Sequence, residues 1–206
     1  MKVLILNGSP RSDGNTSAAL QEMSAVFLQQ NIETEILQIG QLDIRGCIAC
    51  GQCRKLGKCV FNDVVNEIAE KFREAEGIVV ASPVYYAMAN GTLTSLLQRL
   101  FHSSPFDKTM KVGTSVVIAR RGGLSATYDS LNKYFGISGM PIASGQYWNS
   151  VHGAQPGEAS QDEEGLQGLR TLARNMSFLI KSIALGKASF GLPEKEPITF
   201  TNFVRS

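Results

Sequence analysis

Apolar and polar positions alternate along the chain in blocks that separate into two periodicities. Val3-Leu4-Ile5-Leu6 is an unbroken aliphatic and β-branched run, which predicts a strand buried on both faces. It ends at the turn residues Asn7-Gly8-Ser9-Pro10. Leu20, Met23 and Phe27 then recur at helical spacing, with Asn15 or Thr16 placed to cap the start. Residues 33–39 mix polar and apolar side chains and predict a strand nearer the sheet edge. Residues 46–59 hold several glycines and predict a loop. Val65, Ile68 and Phe72 mark a second helix, and Gly77 to Ser82 a third strand stopped by Pro83. Leu93, Leu96, Leu97 and Leu100 mark a third helix. Val112 to Ala119 is a fourth strand, and Leu124, Tyr128, Leu131 and Phe135 a fourth helix. Pro141 to Tyr147 reads as a fifth strand. Leu166, Leu169, Leu172, Met176, Leu179 and Ile183 form the longest amphipathic pattern.

Buried strands alternating with amphipathic helices predict an α/β protein whose parallel sheet is covered on both faces. Right-handed crossovers leave few topologies, and five strands favour the order 2-1-3-4-5. Ligands of such sheets sit at the carboxyl ends of the strands, where the order reverses. The chemistry is therefore expected in residues 8–17, 83–90 and 120–123. No repeat or linker interrupts the chain, so residues 1–206 are expected to form a single domain. Residues 187–206 are irregular but hold Phe190, Leu192, Ile198, Phe200 and Phe203. They predict a C-terminal arm packed on the body or on a partner subunit.

Composition narrows the function. With 206 residues and 43% apolar positions, the chain can bury a core. The net charge of +2 and the lack of a Lys/Arg run give no nucleic-acid signature. No apolar run approaches the roughly 18 residues of a membrane span, and the start shows no export pattern. A cytoplasmic protein without membrane contact is expected. All four cysteines fall between Cys47 and Cys59. In a cytosolic chain such crowding points to a metal, a cluster or thiol redox chemistry rather than to structural disulfides.

Three loops carry binding chemistry. The first, Gly8 to Ser17, leads into a helix N-terminus, where unpaired N–H groups and partial positive charge favour an anion. Ser9, Ser12, Asn15, Thr16 and Ser17 add short donors and Arg11 a planar cation. The segment is neither G-x-x-x-x-G-K-[ST] nor G-x-G-x-x-G, so one terminal phosphate suits it better than a triphosphate or a pyrophosphate. In the second loop, Pro83 and Val84 offer a flat apolar wall, and Tyr85 and Tyr86 offer backbone donors. In the third, Arg120 and Arg121 bring positive charge while Gly122 and Gly123 permit close backbone approach.

Together these segments resemble the NADPH-dependent FMN reductase superfamily of flavodoxin-like proteins. Gly8-Ser9-Pro10-Arg11, Gly14-Asn15-Thr16-Ser17 and Pro83-Val84-Tyr85-Tyr86 carry the resemblance. It implies a flavodoxin-like three-layer sandwich. Ser9, Arg11, Asn15, Thr16 and Ser17 would bind the FMN phosphate, and Pro83 to Tyr86 would hold the isoalloxazine. It also implies a homodimer or homotetramer.

Within that superfamily, Cys47-x2-Cys50-x2-Cys53-x5-Cys59 looks like the iron-sulfur flavoprotein branch, whose motif carries a [4Fe-4S] cluster. Two-residue gaps let thiolates converge on a cubane, although the last gap is longer than in bacterial ferredoxin runs and Val60 replaces Pro. Arg45, Arg54, Lys55 and Lys58 lie in or beside this segment and would offset thiolate charge. Zinc and free thiols remain the rival readings. The expected function is an FMN-dependent oxidoreductase drawing electrons from NAD(P)H or ferredoxin and passing them to a small-molecule acceptor. The alternative is a non-enzymatic carrier relaying electrons between ferredoxin and a partner. Because the flavin ring would do the chemistry, no side-chain acid or base is assigned a catalytic role.

Overall fold

A computed structural model describes residues 1–201 and 203. In chain order the elements are β1 (Lys2–Asn7), α1 (Asn15–Gln29), β2 (Glu33–Gln38), α2 (Cys53–Leu56), α3 (Val64–Glu74), β3 (Gly77–Tyr85), β4 (Met88–Ala89), α4 (Gly91–Ser103), β5 (Val112–Ala119), α5 (Leu124–Ile137), β6 (Ser150–His152) and α6 (Glu163–Phe190). A short 3₁₀ turn, Glu158–Gln161, precedes α6. The parallel strands run in the order β2-β1-β3-β5-β6, and β4 pairs antiparallel with the end of β3. Counted over the parallel strands alone, this is the expected 2-1-3-4-5 arrangement.

The continuous apolar runs follow from burial on both sheet faces. Val3 and Ile5 point to one side with Val79, Ala81, Val116 and Ile118, against α1 and α6. Leu4 and Leu6 point to the other with Ile78, Val80 and Val117, against α3, α4 and α5. Successive strand residues face opposite sides, so a doubly covered strand must be apolar throughout. Aromatic contacts consolidate the second layer, with Phe72 and Phe106 edge to face at 5.3 Å. β2, at the sheet margin, is only partly buried, as its mixed pattern implied.

Four local readings need correction. The fifth strand is not Pro141–Tyr147: that stretch makes only an isolated bridge between Ile142 and Gly113, and regular pairing starts at Ser150–His152. Asn149 is the reason. Its side-chain amide donates to Thr114 Oγ1 at 3.0 Å and the Ser115 carbonyl at 3.1 Å, replacing backbone ladder bonds while the chain detours outward. β3 runs beyond Pro83, because Pro83 stays in register with Ile118 and the strand then turns back into β4. The cysteine segment includes one helical turn, α2. Finally, α1 is preceded by Gly14 with no side-chain cap, so neither Asn15 nor Thr16 caps it.

The long helix α6 starts with the Asp162 carboxylate accepting from Gly165 N–H and with Glu163 and Glu164 in the first turn. It continues through residues expected to be irregular and ends at Phe190. Beyond it, residues 191–201 carry no regular structure. Phe190, Ile198 and Phe200 are 84%, 79% and 86% exposed, so their apolar side chains do not pack on the body of this chain. Lys195 tethers the arm to Asp107 at 2.6 Å. Residues 202 and 204–206 of the expected arm lie outside the described residues. Among the described residues, no helix is long and apolar enough to cross a membrane.

Candidate functional site

The loop after β1 is held by its own short polar side chains. Asn7 Oδ1 accepts from Ser9 N–H at 3.0 Å, and Asn7 Nδ2 donates to Ser17 Oγ at 3.0 Å. Ser9 Oγ accepts from Arg11 N–H at 3.1 Å, while the Ser17 hydroxyl donates to the Ser12 carbonyl. The adjoining segment braces the loop from outside, with Gln38 donating to the Ser9 carbonyl and Gln41 to the Pro10 carbonyl. The result is a fixed turn leading into an uncapped helix end. Such an end, with buried Thr16 and Asn15 at its base, suits an anion.

A cleft opens at the carboxyl ends of β1, β3 and β5. Its walls include Ser9, Arg11, Asn15 and Thr16 from the first loop, Pro83, Val84 and Tyr85 from β3, and Arg120 after β5. Those eight residues were all anticipated, and the fold brings them together. Five others stand differently. Ser17 lies beneath the loop as a brace, and Ser12 is exposed with its carbonyl taken by Ser17. Arg121 and Gly122 are exposed beside the cleft and do not line it. Tyr86 projects from the β3–β4 turn, fully exposed.

That turn is strained. Tyr86 and Ala87 have φ of 50° and 60°, the left-handed pair that a two-residue hairpin demands and that Asn-Gly ordinarily supplies. Gly123 packs directly against it. A Cβ at Gly123 would lie 2.8 Å from Ala87 Cα and 2.9 Å from Val84 Cγ1, and its φ is +89°. The glycine of the third loop that close approach requires is thus Gly123, while a Cβ at Gly122 would meet open space.

Sequence reasoning missed the fourth wall. Gly153, just after β6, lines the cleft, and a Cβ there would lie 2.7 Å from Asn15 Nδ2. Asn15 spans this junction: Nδ2 donates to the Gln155 carbonyl at 2.9 Å and Oδ1 accepts from Ala159 N–H at 3.1 Å. Glu158 closes the loop, its carboxylate accepting from Ala154 N–H at 2.6 Å and Gln155 N–H at 2.9 Å. The Gln155 and then the Ala154 amide hold this carboxyl below its ordinary pKa.

The four cysteines line a second cavity of about 240 Å³ with Phe61, Arg99 and His102. Cys47 and Cys50 are exposed and Cys53 and Cys59 half-buried, and none of the four is in a disulfide. Positive φ at Ala49 (52°), Gly51 (69°) and Gly57 (64°) winds the segment around the cavity. Asn66 on α3 clamps its end, accepting from Cys59 N–H at 2.9 Å and donating to the Cys59 and Phe61 carbonyls. Among the described residues, no three His, Cys, Asp or Glu side chains converge closely enough for one metal ion.

The cation that reaches sulfur is Arg99, which sequence reading did not single out. It is 1% exposed and donates to Cys59 Sγ from Nε at 3.3 Å and from Nη2 at 3.2 Å. It also forks onto Asp63 at 2.7 and 2.8 Å. Burial pulls its pKa down, but Asp63 and Cys59 outweigh burial and hold the guanidinium above its ordinary value. Of the cations expected to serve the thiolates, Arg54 lines the cavity and Arg45 stacks over Phe61 at 4.8 Å.

A doubly wound parallel sheet with an anion loop and an apolar wall at its switch point defines a flavodoxin-like protein. Structural neighbours agree on the fold. RosB with bound 8-demethyl-8-formylriboflavin-5'-phosphate superposes at a TM-score of 0.69 and 17% identity, covering 100% of this chain and 94% of that one. An archaeal flavodoxin superposes at 0.60 and 14%, covering 88% and 99%. Residues 1–155 match the NADPH-dependent FMN reductase family, and the chain belongs to it. Among curated relatives, an iron-sulfur flavoprotein of Methanocaldococcus jannaschii is 32% identical over 89% of this chain and 99% of its own length. An iron-sulfur flavoprotein of Methanosarcina thermophila is 30% identical over 89% and 97%. Family membership puts the chain among flavin-dependent oxidoreductases and electron-transfer proteins.

Proposed function

We propose that this protein is an FMN-dependent oxidoreductase in which a [4Fe-4S] cluster on Cys47, Cys50, Cys53 and Cys59 exchanges electrons with FMN in the cleft. The observation that carries it is the cysteine cavity: four thiols face one space, and a buried guanidinium donates two hydrogen bonds to one of them. Zinc fits this donor set less well. Structural zinc usually sits on two separated C-x2-C pairs, whereas Cys47, Cys50 and Cys53 are crowded into one run with Cys59 six residues on. Two-residue gaps of this kind are those of cluster-binding ferredoxin runs.

The cleft suits FMN. The bare N-terminus of α1 and Arg11 would take the phosphate. Pro83, Val84 and Tyr85 would flank the ring, and Arg120 would balance negative charge on it. When bound, FMN can take two electrons from a nicotinamide and exchange single electrons with a cluster. NAD(P)H or ferredoxin is the proposed donor and a small molecule the acceptor. The exposed apolar arm supports assembly as a homodimer or homotetramer, with the arm covered by a partner subunit.

The test is an ultraviolet-visible spectrum of anaerobically purified protein, with iron and sulfide assays on the same sample. Flavin bands over broad iron-sulfur absorbance, with about four irons per chain, are expected. Flavin bands without iron would overturn the cluster. Steady-state NADPH oxidation then separates enzyme from carrier: reduction only by ferredoxin or dithionite would refute an NAD(P)H-dependent reductase.

A further inference from the structure

Arg99 accounts for all five of its N–H donors. Three go to Asp63 and the Arg45 carbonyl, and the two nearest the cysteine cavity go to Cys59 Sγ. An Arg–Asp pair needs only two of these bonds for its stability. A neutral thiol is a weak acceptor, so two donors of a buried cation are poorly satisfied by it. A sulfur carrying negative charge, as in an iron-bound thiolate, makes both bonds charge-assisted. The aromatic face of Phe61, 4.9 Å from the guanidinium carbon, packs against the same group and holds its plane. Asp63 is itself fixed, because its Oδ1 also accepts from Val65 N–H at the start of α3.

We propose that Arg99 is the positioning residue that sets the reduction potential of the cluster through the Cys59 sulfur, with Asp63 as its counter-charge. This rests on the cluster reading above. Reduction adds one electron to the cluster and breaks no bond. A fixed positive charge and two hydrogen bonds at one ligand sulfur favour that added negative charge, and so raise the potential. Arg99 and Asp63 oppose each other, so the two residues make predictions of opposite sign.

The experiment is a redox titration of the anaerobic holoprotein, followed by electron paramagnetic resonance and visible absorbance. It compares Arg99→Gln, Arg99→Lys and Asp63→Asn with wild type, with iron counted in each sample. Arg99→Gln is expected to lower the cluster midpoint and Asp63→Asn to raise it. Arg99→Lys falls between wild type and Arg99→Gln, since it keeps the charge and loses the fork. The FMN couple, read in the same titration, should stay in place. Asparagine keeps the α3 cap, so Asp63→Asn decides alone if Arg99→Gln fails to fold or to hold iron. Cluster midpoints that stay at the wild-type value with iron present overturn the Arg99 assignment and leave the cluster standing. Wild-type protein without iron overturns both.

Discussion

Asn15 gives the sharpest test of how the cleft is assembled. The residue is 8% exposed, and its carboxamide joins the first turn of α1 to the segment after β6 through the Gln155 carbonyl and the Ala159 N–H. Ala159 is fully buried. In Asn15→Ala its N–H loses its partner, at a cost of about 1–3 kcal/mol. The exposed Gln155 carbonyl can turn to water and adds about 1 kcal/mol or less. A total of roughly 1–4 kcal/mol corresponds to a fall in Tm of about 2–16 °C for a chain of this size. Asn15→Asp keeps the acceptor for Ala159 and adds an anion at a helix N-terminus, which is favourable for the empty fold. It also places a negative charge beside the expected phosphate. Two unit charges 4 Å apart interact by about 4 kcal/mol at an effective dielectric near 20. Half of that is more than a tenfold change in Kd. The order should therefore invert: Asn15→Asp melts higher than Asn15→Ala without FMN, yet binds FMN at least tenfold more weakly. Thermal unfolding of the FMN-free protein and fluorescence titration with FMN measure the two. Equal FMN affinity for the two variants, or an Asn15→Ala Tm within about 1 °C of wild type, would refute this account of the junction.

Other perturbations have equally definite signs. Ala87→Gly relieves a positive φ of 60° and should raise stability by about 1 kcal/mol, read as a higher denaturation midpoint with unchanged slope. Gly123→Ala drives a Cβ into Ala87 and Val84 and should destabilise by roughly 1–3 kcal/mol while weakening FMN binding. Unaltered FMN affinity would show that the hairpin does not shape the cleft. Glu35 joins β2 to Lys2 of β1 and Lys71 of α3. The hydrogen bonds from Lys2 and then Lys71 hold its carboxyl below the ordinary value. With the folded pKa below the unfolded one, the stabilisation is complete above the unfolded pKa of about 4.3 and fades as pH falls through the lower folded value. Glu35→Gln should flatten the acid limb of a Tm–pH profile, and high salt should shrink the difference between the two proteins.

Much of this molecule was legible residue by residue. β1, the first part of β3 and β5 could be read because doubly buried strands must be apolar at every position. α3, α4 and α5 could be read because one helix face meets the sheet. The position of the loop at residues 8–17 was legible because a Gly-, Ser- and Asn-rich run marks the junction between a buried strand and an amphipathic helix. The turn at Tyr86-Ala87 was not, since it carries none of the residues that relax a positive φ; packing of Gly123 against it imposes the conformation. β6 was displaced from its expected place because the side chain of Asn149 substitutes for backbone pairing that the apolar pattern alone cannot deny.

Composition and periodicity by themselves determined the layered α/β class, the strand order through the crossover rules, the loops that face the ligand edge and the crowding of four cysteines. These depend on near neighbours in the chain, where spacing of 2 or 3.6 residues reports which face is buried. Only the tertiary structure decided that Arg99, 40 residues beyond Cys59, supplies the cation at sulfur. It alone decided that Asn15 closes the cleft against a segment 140 residues away. Each of those contacts is a single polar group oriented by packing from both sides. An isolated arginine or asparagine leaves no period in the sequence, so its partner is settled only when the layers close.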